Sequence, residues 1–350
     1  MENKGRNNRR LYVASFAEDI PNLREGDLIP KQTLYTAPMH GGAALAVWYL
    51  RPAMLLSFAF LFFSIGIATA GYSMFKGETS VAAAVSAVDR ESISEIHSVF
   101  TTDDFVYKPK VAGLDAEHYL VYDIQSDAIV AASDLTQKVP IASLTKLMTA
   151  VVALDFIDVE ERVAVSKESF ISTMIPRLEG RNTISMESLL QLLLAESSNE
   201  AAEVFASVLG RDVFVSRMNE KAAWIGLQDT VFTDPSGLDE GNISTVRDIL
   251  LLLKYVHNSE PYILELTANK AFTNPYTTTQ FGSLSNFNYI DEVGFIAGKV
   301  GETLAAQQTS ASLHVVTVHG EERLLAVVLL GTEDRTEDTK KLISYVREHF

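Results

Sequence analysis

From residue 113 to the end, short apolar runs of strand length alternate with longer stretches of helical period. Residues 118–124 (His-Tyr-Leu-Val-Tyr-Asp-Ile) and 128–133 (Ala-Ile-Val-Ala-Ala-Ser) are strand-length runs, and polar Gln125-Ser126-Asp127 between them predicts a hairpin. A short strand is expected over 161–166. Apolar spacing predicts a helix over 185–194 with Ser185 as N-cap, a second from 199 to Gly210, and a third over 212–224 that stops at Gly226. Pro235-Ser236-Gly237 reads as a turn, and Ser244-Thr245 with Arg247-Asp248 opens a further helix with a capping-box-like pair. Three more strands are expected over 294–299, 312–318 and 324–330, and a closing helix over 338–349. Strands at both ends with helices between them predict one sheet and a helical cluster, an α+β arrangement.

Upstream the pattern changes. Residues 53–75 carry no charge over 23 positions and are rich in Phe, Ala and Leu. As a helix they would be about 34 Å long, enough to cross a hydrocarbon core of about 30 Å. Trp48 and Tyr49 at one end and Tyr72 at the other suit the two interfaces. Residues 1–52 hold seven Lys and Arg against five acids, a net +2, while the remainder holds 22 basic and 40 acidic residues, a net −18. The basic side is N-terminal, so the tail is expected in the cytoplasm and the rest outside, at the periplasmic or wall-facing side of a cell membrane. Ala68-Thr69-Ala70 resembles a signal-peptidase site, but about 50 residues before the apolar run is long for a cleaved leader, and an uncleaved anchor is the expectation. The predicted organisation is a largely disordered cytoplasmic tail (1–52), a single transmembrane helix (53–75), a juxtamembrane linker (76–112) and one globular domain (113–350).

Composition narrows the chemistry. A net charge of −16 over 350 residues argues against nucleic acid as the main partner. There is no cysteine, which removes disulfides, thiolate catalysis and Cys-type zinc sites. The seven His (40, 97, 118, 257, 314, 319 and 349) show no ligand spacing, so no metal is expected.

The candidate chemistry starts at residues 140–150, Pro-Ile-Ala-Ser-Leu-Thr-Lys-Leu-Met-Thr-Ala. This apolar run reads as a helix beginning near Pro140, so Ser143 and Lys146 share a face and can meet without help from the rest of the fold. A serine becomes a nucleophile beside a base, and an amine is such a base when its pKa is pushed down. The same spacing at Ser73 and Lys76 is read as chance. Downstream, Ser197-Ser198-Asn199 falls between two helices, where a short loop can present both side chains, and Lys299-Val300-Gly301 is expected to end a strand, with Gly301 open to close approach of a substrate backbone.

Ser-x-x-Lys, Ser-x-Asn and Lys-x-Gly in this order resemble the pattern of penicillin-binding proteins and serine β-lactamases. With Ser-Ser-Asn-Glu-Ala-Ala (197–202), Met218-Asn219, Ala222, Gly226, Asp-Pro-Ser-Gly-Leu (234–238), Ser244-Thr245 and Arg247-Asp248, residues 113–348 resemble, collinearly, the D-alanyl-D-alanine carboxypeptidases among the low-molecular-mass penicillin-binding proteins. The resemblance implies a β-lactamase/transpeptidase-like fold, with an antiparallel sheet flanked by a helical cluster. It also implies a membrane-anchored serine peptidase acting on peptidoglycan stem peptides through an acyl-enzyme, with β-lactams as covalent inhibitors and no cofactor. The implied catalytic residues are Ser143 as nucleophile, Lys146 as base, Ser197 as proton relay to the leaving amine, Asn199 as orienter of substrate and Lys146, and Lys299 as a cation that favours the substrate's anionic end and lowers the pKa of Lys146. Val300, Gly301, Glu302 and Thr303 would line the substrate, with the N–H groups of Ser143 and Glu302 forming the oxyanion hole.

One position departs from the family pattern. Val300 stands where the family usually has Thr or Ser, a hydroxyl that helps bind the terminal carboxylate. Losing a hydrogen bond to a charged group costs about 1.5–3 kcal/mol, about 10- to 100-fold. Thr303 is a candidate replacement. The change makes a D,D-endopeptidase or a catalytically weakened wall-binding homologue a live alternative. A β-lactamase would need a further Glu, and Glu161, Glu168 and Glu179 are not in a Glu-x-x-Leu-Asn context. Members of the family often carry a C-terminal β-domain and anchor; with the sequence ending at Phe350, the N-terminal helix is expected to do the anchoring.

Overall fold

The computed structural model describes residues 110–158, 160–268, 271–272, 281, 283–290 and 293–350. The predicted tail (1–52), transmembrane helix (53–75) and all but the last residues of the linker (76–112) lie outside the described residues. Among those described, no helix is long and apolar enough to cross a membrane.

Five strands form the main sheet: β1 (His118–Asp123), β2 (Ala128–Ser133), β9 (Phe295–Thr303), β10 (Gln307–Val318) and β11 (Glu321–Thr332). Their spatial order is β2-β1-β11-β10-β9, antiparallel throughout. The first and last parts of the domain therefore meet in one sheet, with β1 pairing β11 from His118↔Leu330 to Asp123↔Leu325. β1 is buried at every position, which is why it reads as an unbroken apolar run rather than an alternation. β2 and β9 are the two edge strands.

Between the two halves of the sheet lie α1 (Thr145–Phe156), α2 (Met186–Leu194), α3 (Asn199–Leu209), α4 (Arg211–Ile225), α5 (Val246–Ser259) and α6 (Pro261–Ala268). They cluster against one face and the β9 edge. The closing helix α7 (Arg335–His349) packs on the other face, where Leu342, Ile343 and Val346 meet Tyr119, Val121, Leu325, Val327 and Leu329. Short strand pairs complete the cluster: β3 (Val139–Pro140) with β6 (Ile243–Ser244), β4 (Arg162–Ala164) with β5 (Thr183–Ser185), and β7 (Ala271–Phe272) with β8 (Leu284–Ser285).

Three sequence expectations change. Pro140 does not start a helix: it pairs with Ile243, Ile141 N–H donates to Asn242 O (3.0 Å), a 3-10 turn spans Ala142–Leu144, and α1 begins at Thr145. The apolar run hid this boundary because Thr145 to Ala153 are buried all round, so no stripe marks the start. The Lys299-Val300-Gly301 segment lies inside β9, not at its end, since pairing with β10 continues to Thr303↔Gln307. Finally, α7 starts at Arg335, capped by Asp334, which accepts from the N–H groups of Thr336 and Glu337. The expected hairpin, the Ser185 N-cap and the stop of α4 at Gly226 are present.

Candidate active site

Ser143 sits in a tight turn gripped from two sides. Ala142 before it has φ +49°, a left-handed value that a residue with a Cβ adopts only where its surroundings hold it. On one side is Gly237 (φ +84°), where a Cβ would lie 2.0 Å from Ala142 O. On the other is Gly301 of β9, where a Cβ would lie 2.7 Å from Ser143 N and 3.0 Å from Ala142 Cβ. The close approach expected at Gly301 is therefore made by the nucleophile's own backbone. Thr309 on β10 adds a hydrogen bond from its hydroxyl to Ile141 O (3.2 Å).

Lys146, one turn on, is fully buried. Its Nζ lies 2.9 Å from Ser143 Oγ, 2.7 Å from Asn199 Oδ1 and 2.5 Å from Ser236 O. Two of these partners, an amide oxygen and a backbone carbonyl, can only accept. A neutral amine has two N–H bonds and one lone pair, so donating to Asn199 and Ser236 leaves the lone pair facing the serine hydroxyl. Burial favours that neutral form and lowers the Lys146 pKa to about 7, against the opposing pull of the Asp234 carboxylate. The largest cause is burial, which is complete. Burial, with repulsion from Lys146 and Arg335, likewise holds Lys299 well below the usual lysine range.

The Ser236 carbonyl is held by the Asp234 loop. Asp234 Oδ1 accepts from the N–H groups of Ser236 (2.6 Å) and Gly237 (2.5 Å), and Oδ2 accepts from Asp239 N–H (2.6 Å). In the sequence, residues 234–238 stand out only as part of the resemblance. A carbonyl contact made across 90 residues has no side-chain signature.

Asn199 opens α3, and its Nδ2 donates to Ser172 O (2.7 Å), which fixes the amide so that Oδ1 faces Lys146. Ser198 is the N-cap, accepting from Ala201 N–H (3.2 Å). Ser197 has φ +56°, is half-buried, and its hydroxyl has no hydrogen bond among the described residues. The turn is locked from outside by Arg177, whose Nε and Nη2 each donate to Glu196 at 2.6 Å.

Along β9, the pleat sorts the remaining residues. Lys299 pairs with Ala311 and Gly301 with Thr309, on the face toward the helical cluster; Val300 pairs with Ser310 and Glu302 with Gln308, on the α7 face. Lys299 is fully buried and its Nζ donates to Asn288 Oδ1 (2.9 Å) and Val300 O (2.7 Å). Val300 is 6% exposed, with its side chain on the face opposite Ser143. The Glu302 carboxylate turns toward Arg335 of α7 (3.5 Å). Its N–H, by strand alternation, points outward like those of Gly298 and Val300, which donate to Thr267 Oγ1 (3.0 Å) and Asn288 Oδ1 (3.0 Å). The Thr303 hydroxyl accepts from Ala306 N–H (3.1 Å) and so closes the β9–β10 turn.

Ser143 and Asn199 are therefore each in direct contact with Lys146, and Gly301 packs on the turn that carries Ser143. Lys299 joins them from the same face of β9. Glu161, Glu168 and Glu179 are all exposed. Among the described residues, no group of His, Asp and Glu is arranged to hold a metal ion.

Residues 105–333 match the family model described as D-alanyl-D-alanine carboxypeptidase. The D-alanyl-D-alanine endopeptidase of Escherichia coli is 31% identical over 208 residues, 57% of this chain and 66% of that protein. The solved D-alanyl-D-alanine carboxypeptidase of Mycobacterium tuberculosis superposes with a TM-score of 0.60 at 26% identity, covering 69% of this chain and 94% of that one. Penicillin-binding protein D2 of Listeria monocytogenes, solved with ampicillin bound, gives 0.59 at 25% identity, covering 68% and 98%.

Proposed function

We propose that this chain, which belongs to the D-alanyl-D-alanine carboxypeptidase family of serine peptidases, opens D-alanyl-D-alanine bonds in peptidoglycan stem peptides through an acyl-enzyme on Ser143. The observation that carries the reading is the coordination of Lys146. Its Nζ lies 2.7 Å from Asn199 Oδ1, 2.5 Å from Ser236 O and 2.9 Å from Ser143 Oγ, so in the neutral form, with both N–H bonds given to the two obligate acceptors, the lone pair is left for the serine hydroxyl. In the proposed first step, Lys146 takes the serine proton as Oγ attacks the carbonyl between two D-alanines. The developing oxyanion receives the N–H groups of Ser143 and Glu302. Ser197 passes a proton to the leaving amine, Lys299 favours the substrate's carboxylate end, and water then releases the acyl group. No cofactor enters this scheme.

The preferred reaction is carboxypeptidase cleavage of a free stem peptide. A second reading is endopeptidase cleavage of a cross-link, the activity for which the similar Escherichia coli protein is named; such a substrate need not be gripped by a terminal carboxylate in the same way. Anchoring through residues 53–75, with the tail in the cytoplasm and the domain at the wall, completes the proposal.

The test uses the full-length chain, a fluorescent penicillin and a Ser143→Ala control. Covalent labelling that vanishes in the control is the expected result. A folded wild-type chain that takes no label at high drug concentration would overturn the reading in favour of a wall-binding homologue. A free pentapeptide and a cross-linked dimer, offered side by side, then separate the two cleavage modes.

A further inference from the structure

The Ser197–Asn199 turn and the β9 edge lie about a hundred residues apart in sequence, yet acyl transfer needs them registered within a fraction of an ångström. One buried side chain bridges β9 and the end of α2, three residues before Ser197. Asn288 is completely buried, and its Oδ1 accepts from Val300 N–H (3.0 Å) and from Lys299 Nζ (2.9 Å). Its Nδ2 donates to Leu194 O (2.8 Å), at the end of α2, and to Asn286 Oδ1 (2.8 Å). The neighbouring Phe287 N–H donates to Ala195 O (3.0 Å), one step closer to Ser197.

We propose that Asn288 is a positioning residue of the acyl-transfer site, setting Lys299 and the β9 edge against the Ser197–Asn199 turn. The inference rests on the peptidase reading above. Its force comes from the chemistry of the amide. The four contacts need two acceptances and two donations from one short planar group, and asparagine supplies both. Aspartate can keep the two accepted bonds and loses the donations; leucine loses all four. Asn288 also sets where the capped part of the strand edge ends. The outward N–H groups of Gly298 and Val300 are taken by Thr267 and Asn288, while that of Glu302, beside Ser143, is left for an incoming oxyanion. Through Lys299, the same oxygen fixes how the amine is turned: Asn288 Oδ1 and Val300 O take two positions on Nζ, and in the ammonium form one remains for a substrate group.

The experiment measures acylation of the full-length wild type, Asn288→Leu and Asn288→Asp by a fluorescent penicillin between about pH 5 and 10, with a thermal melt of each. Asn288→Leu is expected to slow acylation about 10- to 100-fold, the scale of one lost hydrogen bond to a charged group. Asn288→Asp is expected to recover most of that loss. It should also move the alkaline limb of the profile upward, because a carboxylate beside Lys299 favours the ammonium form. A purely structural role would lower the melting point of both variants and leave the limb where it is. Wild-type acylation by a folded Leu variant, or an Asp variant as slow as Leu with an unmoved limb, overturns the proposal. If the Leu variant does not fold, the limb of the Asp variant decides. A folded wild type that takes no label at any pH sinks the peptidase reading and this inference together, an outcome distinct from the other two.

Discussion

The two faces of the five-stranded sheet are built on opposite principles. Under α7, Val121, Leu325, Val327 and Leu329 pack on Leu342, Ile343 and Val346, and the polar pair there satisfies itself: Ser312 Oγ lies 2.8 Å from His314 Nε2, whose Nδ1 lies 3.1 Å from Val293 O. On the other face, at the β9 edge, two fully buried amines, a left-handed alanine and two glycine pinches converge on one serine. The first face stabilises by removing apolar area from water. The second is held by the rest of the fold in an arrangement its own local energetics oppose. Substitutions on the first should therefore act on stability, and those on the second on rate.

The sharpest break is Lys146→Met. It removes the base and keeps much of the buried volume, so acylation is expected to fall by at least about a thousandfold. The fold should survive, because the ionised form of a buried amine was itself opposed by burial. Stopped labelling with fluorescent penicillin, beside a melt, checks both halves. The opposite result belongs to Leu329→Ala under α7. There, about 2–5 kcal/mol of stability should go, visible as a lower melting temperature, while the molecules still folded acylate at the wild-type rate. A slowed rate per folded molecule would mean that the two faces are not separable.

Gly301→Ala tests where they join. The added Cβ would lie 2.7 Å from Ser143 N, backbone against backbone, so the turn must shift. A displacement of this kind is expected to slow acylation about 100-fold and to cost about 1–3 kcal/mol. An unchanged rate would show that the turn relaxes freely and that its grip is not functional.

This junction also marks the limit of what could be read beforehand. The sheet and most helices were legible because strand runs and helical stripes carry their own periods. The three motifs were legible because their residues are local and their order is unusual. The contacts that complete the site are of another kind. Ser236 holds Lys146 through a backbone carbonyl, which any residue could offer. Asn288 belongs to no motif that the reading used, and only the crossing of its segment with β9 and α2 reveals it. At Gly301 the sequence predicts a close approach but not that Ala142 and Ser143 make it, since spacing along a chain does not say which backbone will arrive.

A milder test is pH. Burial lowers the Lys146 pKa to about 7, and the reactive form is the neutral amine. Acylation should therefore fall as the pH drops through about 7 and level off above it. Ser312→Ala, on the far face, should leave that acid limb in place. A wild-type rate flat from about pH 5 to 8 would mean that Lys146 stays neutral throughout, or is not the base.

The smallest expected effect is that of Val300→Thr, although it restores the residue usual in the family. Val300 lies on the α7 face, directly opposite Ser310, whose buried hydroxyl has no hydrogen-bond partner among the described residues. A threonine there can offer a hydroxyl to Ser310 and loses one apolar methyl contact in exchange. A made hydrogen bond contributes about 0.5–1.5 kcal/mol, and the lost methyl offsets about as much, so the melting temperature should move by only a few degrees. Because the side chain faces away from Ser143, the acylation rate should change by less than about threefold, a difference below 1 kcal/mol. A gain of tenfold or more for a free pentapeptide alone would show that a hydroxyl at this position reaches round the strand edge to the substrate carboxylate. In that event the two faces communicate at β9, and Val300 itself selects against free stem peptides.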